Sequence, residues 1–169
     1  MTGKEVPVMY ERILVPLDGS ALAELALRHA GEIARASRAE IVLLQAVYLP
    51  MPVVPEPVLL TEGKMLEEAA KASSEYLDGV AAHLREEGLP VRTLVDERPP
   101  ADAILHVADH ENVDLIVMST HGRSGLSRLV MGSIAESVVR NTPRTVMLVK
   151  PERPAESERA ADERHTHVS

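Results

Sequence analysis

Hydrophobic residues along this chain fall into five short unbroken runs, separated by longer stretches in which apolar positions recur every three or four residues. The runs are 12–17, 41–47, 91–95, 115–118 and 145–149, built mainly from Val, Leu and Ile. A strand whose sheet is covered on both faces shows a continuous run of this kind, not an alternation. The stretches between them read as helices. Ala23, Leu27, Ala30 and Ala34 share one face of a helix that Ser20 is placed to cap. Met65, Ala69, Ala72, Tyr76, Val80 and Leu84 mark the inner stripe of a helix expected over 61–87 and ended by Gly88. Pro99 and Pro100 start a third helix that runs to about Glu111, with Ile104, Val107 and Ala108 inward. Gly132 and Ser133 open a fourth, carrying Ile134, Val138 and Val139. Residues 48–60 hold prolines at 50, 52, 55 and 57 and read as a loop; 119–131 reads as another.

Strands and helices therefore alternate from end to end. The fold class expected is α/β: a single doubly wound, Rossmann-like parallel sheet of five strands with helices on both faces. Sheets of this kind bind ligands beyond the carboxyl ends of their strands, where the strand order reverses. Two segments are expected to meet at that crevice, 16–20 after the first strand and 119–125 after the fourth. The ordered domain is expected to span 1–151, and the polar segment 152–169 to be a disordered tail.

Composition narrows the function classes. The chain has no cysteine, which excludes disulfides and thiolate chemistry. The formal net charge of −8 argues against broad DNA or RNA binding, which needs Lys and Arg against phosphates. Tyr10, Tyr48 and Tyr76 are the only aromatic residues, too few for a base-stacking platform. No apolar run reaches the ~18 residues of a membrane span, and the first eight residues hold no apolar signal core, so a cytoplasmic protein is expected. One local contrast matters. Residues 118–150 hold five bases (Arg123, Arg128, Arg140, Arg144, Lys150) against the single acid Glu136, which suits either a small anion or a solvated helix face.

The candidate chemistry sits at the crevice. Gly132 and Ser133 begin a helix whose first N–H groups lack internal acceptors, and the helix dipole favours an anion there. Glycine lets backbone approach phosphate oxygens, and Ser133 adds a hydroxyl. By themselves Gly122, Gly125 and Gly132 need only permit turns; their place after a buried strand and before a helix favours phosphate. Asp18 reads as a ligand contact or as the cap of the Gly19–Ser20 turn. Ser119, His121 and Asp114 do not make a hydrolytic triad, since Asp114 and Ser119 lie at opposite ends of one strand and no nucleophile elbow is present. His83, His106 and His110 read as helix-surface residues, and His165 and His167 as solvated.

Residues 13–20, 114–125 and 132–136 resemble the universal stress protein family, and the similarity covers about 10–151. Its ATP-binding branch is similar in a pattern of Gly, two residues, Gly, nine residues, then Gly with Ser or Thr. Gly122, Gly132 and Ser133 match; the leading glycine is Ser119 here. The resemblance implies the strand order 3-2-1-4-5 and an adenine nucleotide, ATP or AMP, with Mg²⁺ or Mn²⁺ held through the phosphates. It places Pro16, Asp18 and Ala46 by the adenine and ribose, Met118 and Ser119 by the ribose, and Gly122, Gly132, Ser133 and Ile134 at the phosphates. It also implies a homodimer through Thr145 to Val149, and a stress-response regulator with an unknown protein partner and at most weak ATP hydrolysis. The alternatives are a dimeric interaction module that binds no nucleotide, and a slow ATPase of the same fold.

Overall fold

A computed structural model describes residues 9–48, 56–120 and 131–150. The element order is β1 (Arg12–Leu17), α1 (Ala21–Ser37), β2 (Glu40–Ala46), α2 (Glu56–Glu86), β3 (Val91–Asp96), α3 (Pro100–His110), β4 (Leu115–Ser119), α4 (Ser133–Asn141) and β5 (Thr145–Val149). The strands form one parallel sheet in the order β3-β2-β1-β4-β5, so the chain direction across the sheet reverses between β1 and β4. This is the expected doubly wound α/β fold.

Each strand divides its side chains between two cores. Ile13, Val15, Leu17, Ile41 and Leu43 pack with α1 and α2 on one face. Leu14, Val42, Leu44, Ile116 and Met118 pack with α3 and α4 on the other. Burial on both faces explains why the runs do not alternate. Helix α1 meets the sheet through Ala23, Ala26, Ala30 and Ala34, all nearly inaccessible to solvent. A face of small residues lets the helix axis lie close to the strands.

Helix α2 departs from the sequence expectation in two ways. It begins at Glu56, five residues before Thr61, because Pro57 falls in its first turn, where a missing N–H costs no helical hydrogen bond. Its buried side is Ser73, Leu77, Ala81 and Leu84, while Met65 and Ala72 are exposed. The inner stripe is thus rotated by about one residue, through Leu77 and Ala81 instead of Tyr76 and Val80, which are only partly buried. Gly88 ends the helix at φ 83°, a left-handed conformation that favours glycine, and Leu89 N–H then donates to the Leu84 carbonyl at 3.1 Å.

Charged residues close the amino-terminal edge of the sheet. Glu40 bridges Arg12 (3.2 Å) and Arg92 (2.9 Å), and Arg92 also reaches Glu111 at 2.8 Å. Asp114 accepts from the backbone N–H groups of Glu11 (2.8 Å) and Arg12 (2.9 Å). These pairs lie at the end of the sheet opposite the carboxyl ends of the strands. The tail expected over 152–169 and the Pro-rich segment 49–55 lie outside the described residues. Among the described residues no helix is long and apolar enough to cross a membrane.

Candidate functional site

Beyond the carboxyl ends of β1, β2 and β4 lies a cavity of about 460 Å³. That volume is within the roughly 300–1,000 Å³ usual for small-molecule sites. Each wall comes from a different part of the chain. The end of β1 supplies Pro16, Leu17 and Asp18, and β2 supplies Leu44, Gln45 and Ala46, with Tyr48 just beyond. From β4 and its exit come Met118, Ser119 and Thr120; the start of α4 gives Gly132, Ser133, Ile134 and Ala135. Pro100 and Ile104 of α3 close one side, and Ala23 of α1 reaches in from the other.

The turn after β1 is tightly held. Gly19 takes φ 79°, which lets the chain fold back so that Ser20 meets the preceding aspartate. The Ser20 N–H and hydroxyl both donate to Asp18 Oδ1, at 3.0 and 2.5 Å. Ser20 Oγ in turn accepts from the Ala23 N–H at 3.1 Å, capping α1. Asp18 thus has the turn-capping role and also stands on the cavity wall. Behind this turn, the Tyr76 hydroxyl donates to Glu24 Oε1 at 2.7 Å and ties α2 to the first turn of α1. Burial, and then the Glu24 carboxylate, push the Tyr76 phenol above its ordinary range.

The Gly132 N–H donates to the Thr120 carbonyl at 2.8 Å, so this amide braces the exit of β4. The N-cap position makes no side-chain hydrogen bond to the helix. The groups with no acceptor inside the helix are the N–H of Ser133, Ile134 and Ala135, all cavity residues. Ser119 is the last residue of β4 and is buried. Its backbone is extended strand, so serine stands there without the strain a left-handed position would impose.

Of the nine residues singled out from sequence, Pro16, Asp18, Ala46, Met118, Ser119, Gly132, Ser133 and Ile134 border this one cavity. Gly122, with His121, Arg123 and Gly125, lies outside the described residues. The basic stretch does not contribute a described side chain. Arg140 pairs with Glu136 at 2.8 Å, Arg144 with Asp109 at 3.2 Å, and neither they nor Lys150 line the cavity. Asp114 is at the other end of the sheet from Ser119, as expected. His83 pairs with Glu87, and His106 and His110 stack on α3 with ring centroids 5.6 Å apart. Sequence reading missed Gln45, Tyr48, Thr120 and Ile104. Two left a signal: Gln45 is the one polar residue inside the run 41–47, and Tyr48 is one of three aromatics.

The model of the universal stress protein family matches residues 9–150. The chain is 36% identical over 145 residues to a universal stress protein of Methanocaldococcus jannaschii, covering 84% of this chain and 83% of that one. The solved universal stress protein UspA of Lactobacillus plantarum superposes with a TM-score of 0.75 at 25% identity, over 83% of this chain and 97% of that one. A universal stress protein crystallised in complex with cAMP shares the fold, with a TM-score of 0.57 at 24% identity over 84% of this chain and 98% of that one. The sheet order, the cavity at its carboxyl edge and these likenesses agree: the chain belongs to the universal stress protein family.

Proposed function

We propose that this protein binds an adenine nucleotide, ATP or AMP, in the cavity at the carboxyl edge of the sheet, and that binding serves a regulatory role in a stress response. The observation that carries the reading is the composition of the wall. Its lining combines apolar side chains, Leu44, Ala46, Ile104 and Met118, with the polar groups of Ser119, Ser133 and the amino end of α4. A nucleotide carries both kinds of group, an apolar base face and an anionic phosphate chain. The α4 dipole contributes roughly 0.3–1 kcal/mol toward an anion at an exposed site, and each charge-assisted hydrogen bond from the Ser133, Ile134 or Ala135 amides about 1.5–3 kcal/mol.

A divalent cation, Mg²⁺ or Mn²⁺, would be held mainly through the phosphate oxygens. The donor set supports this: Asp18 is the one carboxylate among the described lining residues, and it already accepts twice from Ser20. The same fact bears on catalysis. Among the described lining residues Asp18 is the one carboxylate and no histidine or lysine is present, which supports at most weak hydrolysis, below about 1 s⁻¹. The protein holds its nucleotide and presents a surface that depends on it.

Isothermal calorimetry with ATP–Mg²⁺ tests the reading. Heat and a raised melting temperature at or below millimolar ATP are expected. No heat and no thermal shift at millimolar ATP would overturn it. Titration with cAMP in parallel separates a triphosphate site from one that accepts the cyclic monophosphate equally.

A further inference from the structure

We propose that His106 and His110, one turn apart at the carboxyl end of α3, chelate a divalent transition metal, Zn²⁺ or Ni²⁺, through their Nε2 atoms, at a site apart from the nucleotide cavity. Helix α3 buries Ala103, Ile104, Val107 and Ala108. His106 and His110 stand on its exposed side, four residues apart, so the two imidazoles leave the helix one above the other. Their ring centroids are 5.6 Å apart. A metal about 2.1 Å from each ring nitrogen lies roughly 3.2 Å from each ring centre, which puts the centres about 5 Å apart at a tetrahedral angle. The observed spacing is close to that. The ring planes differ by 21°, and an ion must lie in both, so closing on it takes a turn about χ2. That torsion is broad for imidazole, and both rings are exposed enough to make the turn.

The surroundings of the rings say which nitrogens are offered. Nδ1 of His106 faces Asp96 Oδ2 at 3.7 Å, and Nδ1 of His110 faces Glu111 Oε1 at 3.6 Å. Neither Nε2 makes a hydrogen bond or ion pair among the described residues. Histidines that bind metal characteristically turn their other nitrogen toward a carboxylate, which fixes the tautomer and raises the basicity of the ligating atom. Here two carboxylates from different places, the end of β3 and the residue after α3, do this for adjacent rings. Charge balance does not account for the arrangement, because Asp96 already pairs with Arg98 at 2.6 Å and Glu111 with Arg92 at 2.8 Å. The carboxyl end of a helix also favours a cation. Among the described residues no group of three or more His, Asp or Glu side chains is placed to hold a metal, so water completes the coordination. Imidazole suits zinc, nickel and copper, whereas Mg²⁺ prefers oxygen, so this ion differs from one held by nucleotide phosphates.

The test titrates the full chain, without nucleotide, with NiCl₂, ZnCl₂ and MgCl₂ by calorimetry at about pH 8, where a ligating imidazole is neutral. Native protein is compared with His106→Ala, with His110→Ala, and with a control in which His165 and His167, the other close pair in the sequence, are both replaced by alanine. Native protein and the control are expected to take up one Ni²⁺ or Zn²⁺ and to melt at a higher temperature with the metal bound. Mg²⁺ is expected to give no heat at the same concentration. Each single variant is expected to bind about a hundredfold more weakly, since one ring alone loses the chelate. His106→Gln and His110→Gln carry the same comparison if circular dichroism shows an alanine variant unfolded. Native protein that takes up neither Ni²⁺ nor Zn²⁺ at millimolar metal overturns the assignment. So does uptake unchanged in either single variant, uptake lost only in the control, or uptake of Mg²⁺ as strong as that of Ni²⁺.

Discussion

Gly132 is the N-cap of α4, braces β4 through its N–H and borders the cavity, and these three roles separate on substitution. Its backbone, at φ −62° and ψ 149°, is one that any L-residue adopts, so a side chain there meets no conformational penalty. Gly132→Val should therefore fold with a circular dichroism spectrum like the native one. Its methyl groups would occupy space at the phosphate end, and calorimetry should show ATP affinity reduced at least tenfold. Ser20 couples stability to the site in the opposite way. Ser20→Ala removes the α1 cap and the hydroxyl's hydrogen bond to Asp18, and keeps the bond from the backbone N–H. Loss of the cap should cost about 1 kcal/mol in urea denaturation. Nucleotide affinity should fall as well, because Asp18 loses one of the two hydrogen bonds from Ser20 that orient it. A variant that is destabilised but binds normally would show that Asp18 acts only as a cap.

Among the elements, α1 and α2 show how a helix pair supports the site from behind. The alanine face of α1 brings it against β1 and β4, while Tyr76 of α2 anchors its first turn through Glu24. The folded state holds the Tyr76 phenol protonated to higher pH than the unfolded chain does. Its contribution is complete below the unfolded value of about 10 and is lost as pH rises through the folded value. Unfolding followed above about pH 10 should show native stability falling more steeply than that of Tyr76→Phe. Parallel curves for the two proteins would refute the link. At α4 the decisive feature is direction. The same nine residues pointing the other way would present carbonyls to the cavity and repel a phosphate.

At the scale of the whole molecule, the sheet has two edges of different character. Both β3 and β5 are outer strands. Strand β3 carries Arg92 and Asp96, charges that discourage edge pairing, whereas β5 reads Thr-Val-Met-Leu-Val with no charge. That contrast supports the homodimer through Thr145 to Val149 that the family resemblance implies, and we propose it here. Light scattering at micromolar concentration should give twice the chain mass for the native protein. Met147→Lys, at an exposed position of β5, should give the monomer with little change in its melting temperature. A native monomer at that concentration would exclude the pairing.

Much of this architecture was readable along the chain because its cause is local. Unbroken apolar runs identify strands buried on both faces, Ser20 and Gly88 mark helix ends by their own backbone chemistry, and strict alternation of strand and helix imposes a parallel sheet. The departures arose where local preference was outweighed by packing. Pro57 fits a helix's first turn as well as a loop, and the buried stripe of α2 is chosen by how the helix rests on β2 and β3, which no periodicity reports to within one residue. Likewise Gln45 stands out in sequence as a polar interruption, yet only its neighbours in the sheet reveal that its carbonyl has no partner among the described residues. What the sequence determined by itself was the set of elements and the residues gathered at the carboxyl edge, since hydrogen bonding and hydrophobic period act over a few residues. Only the tertiary structure decided which amide braces the exit of β4, which lack an acceptor inside α4, and which side chains line one cavity, because those depend on strands brought together from distant parts of the chain.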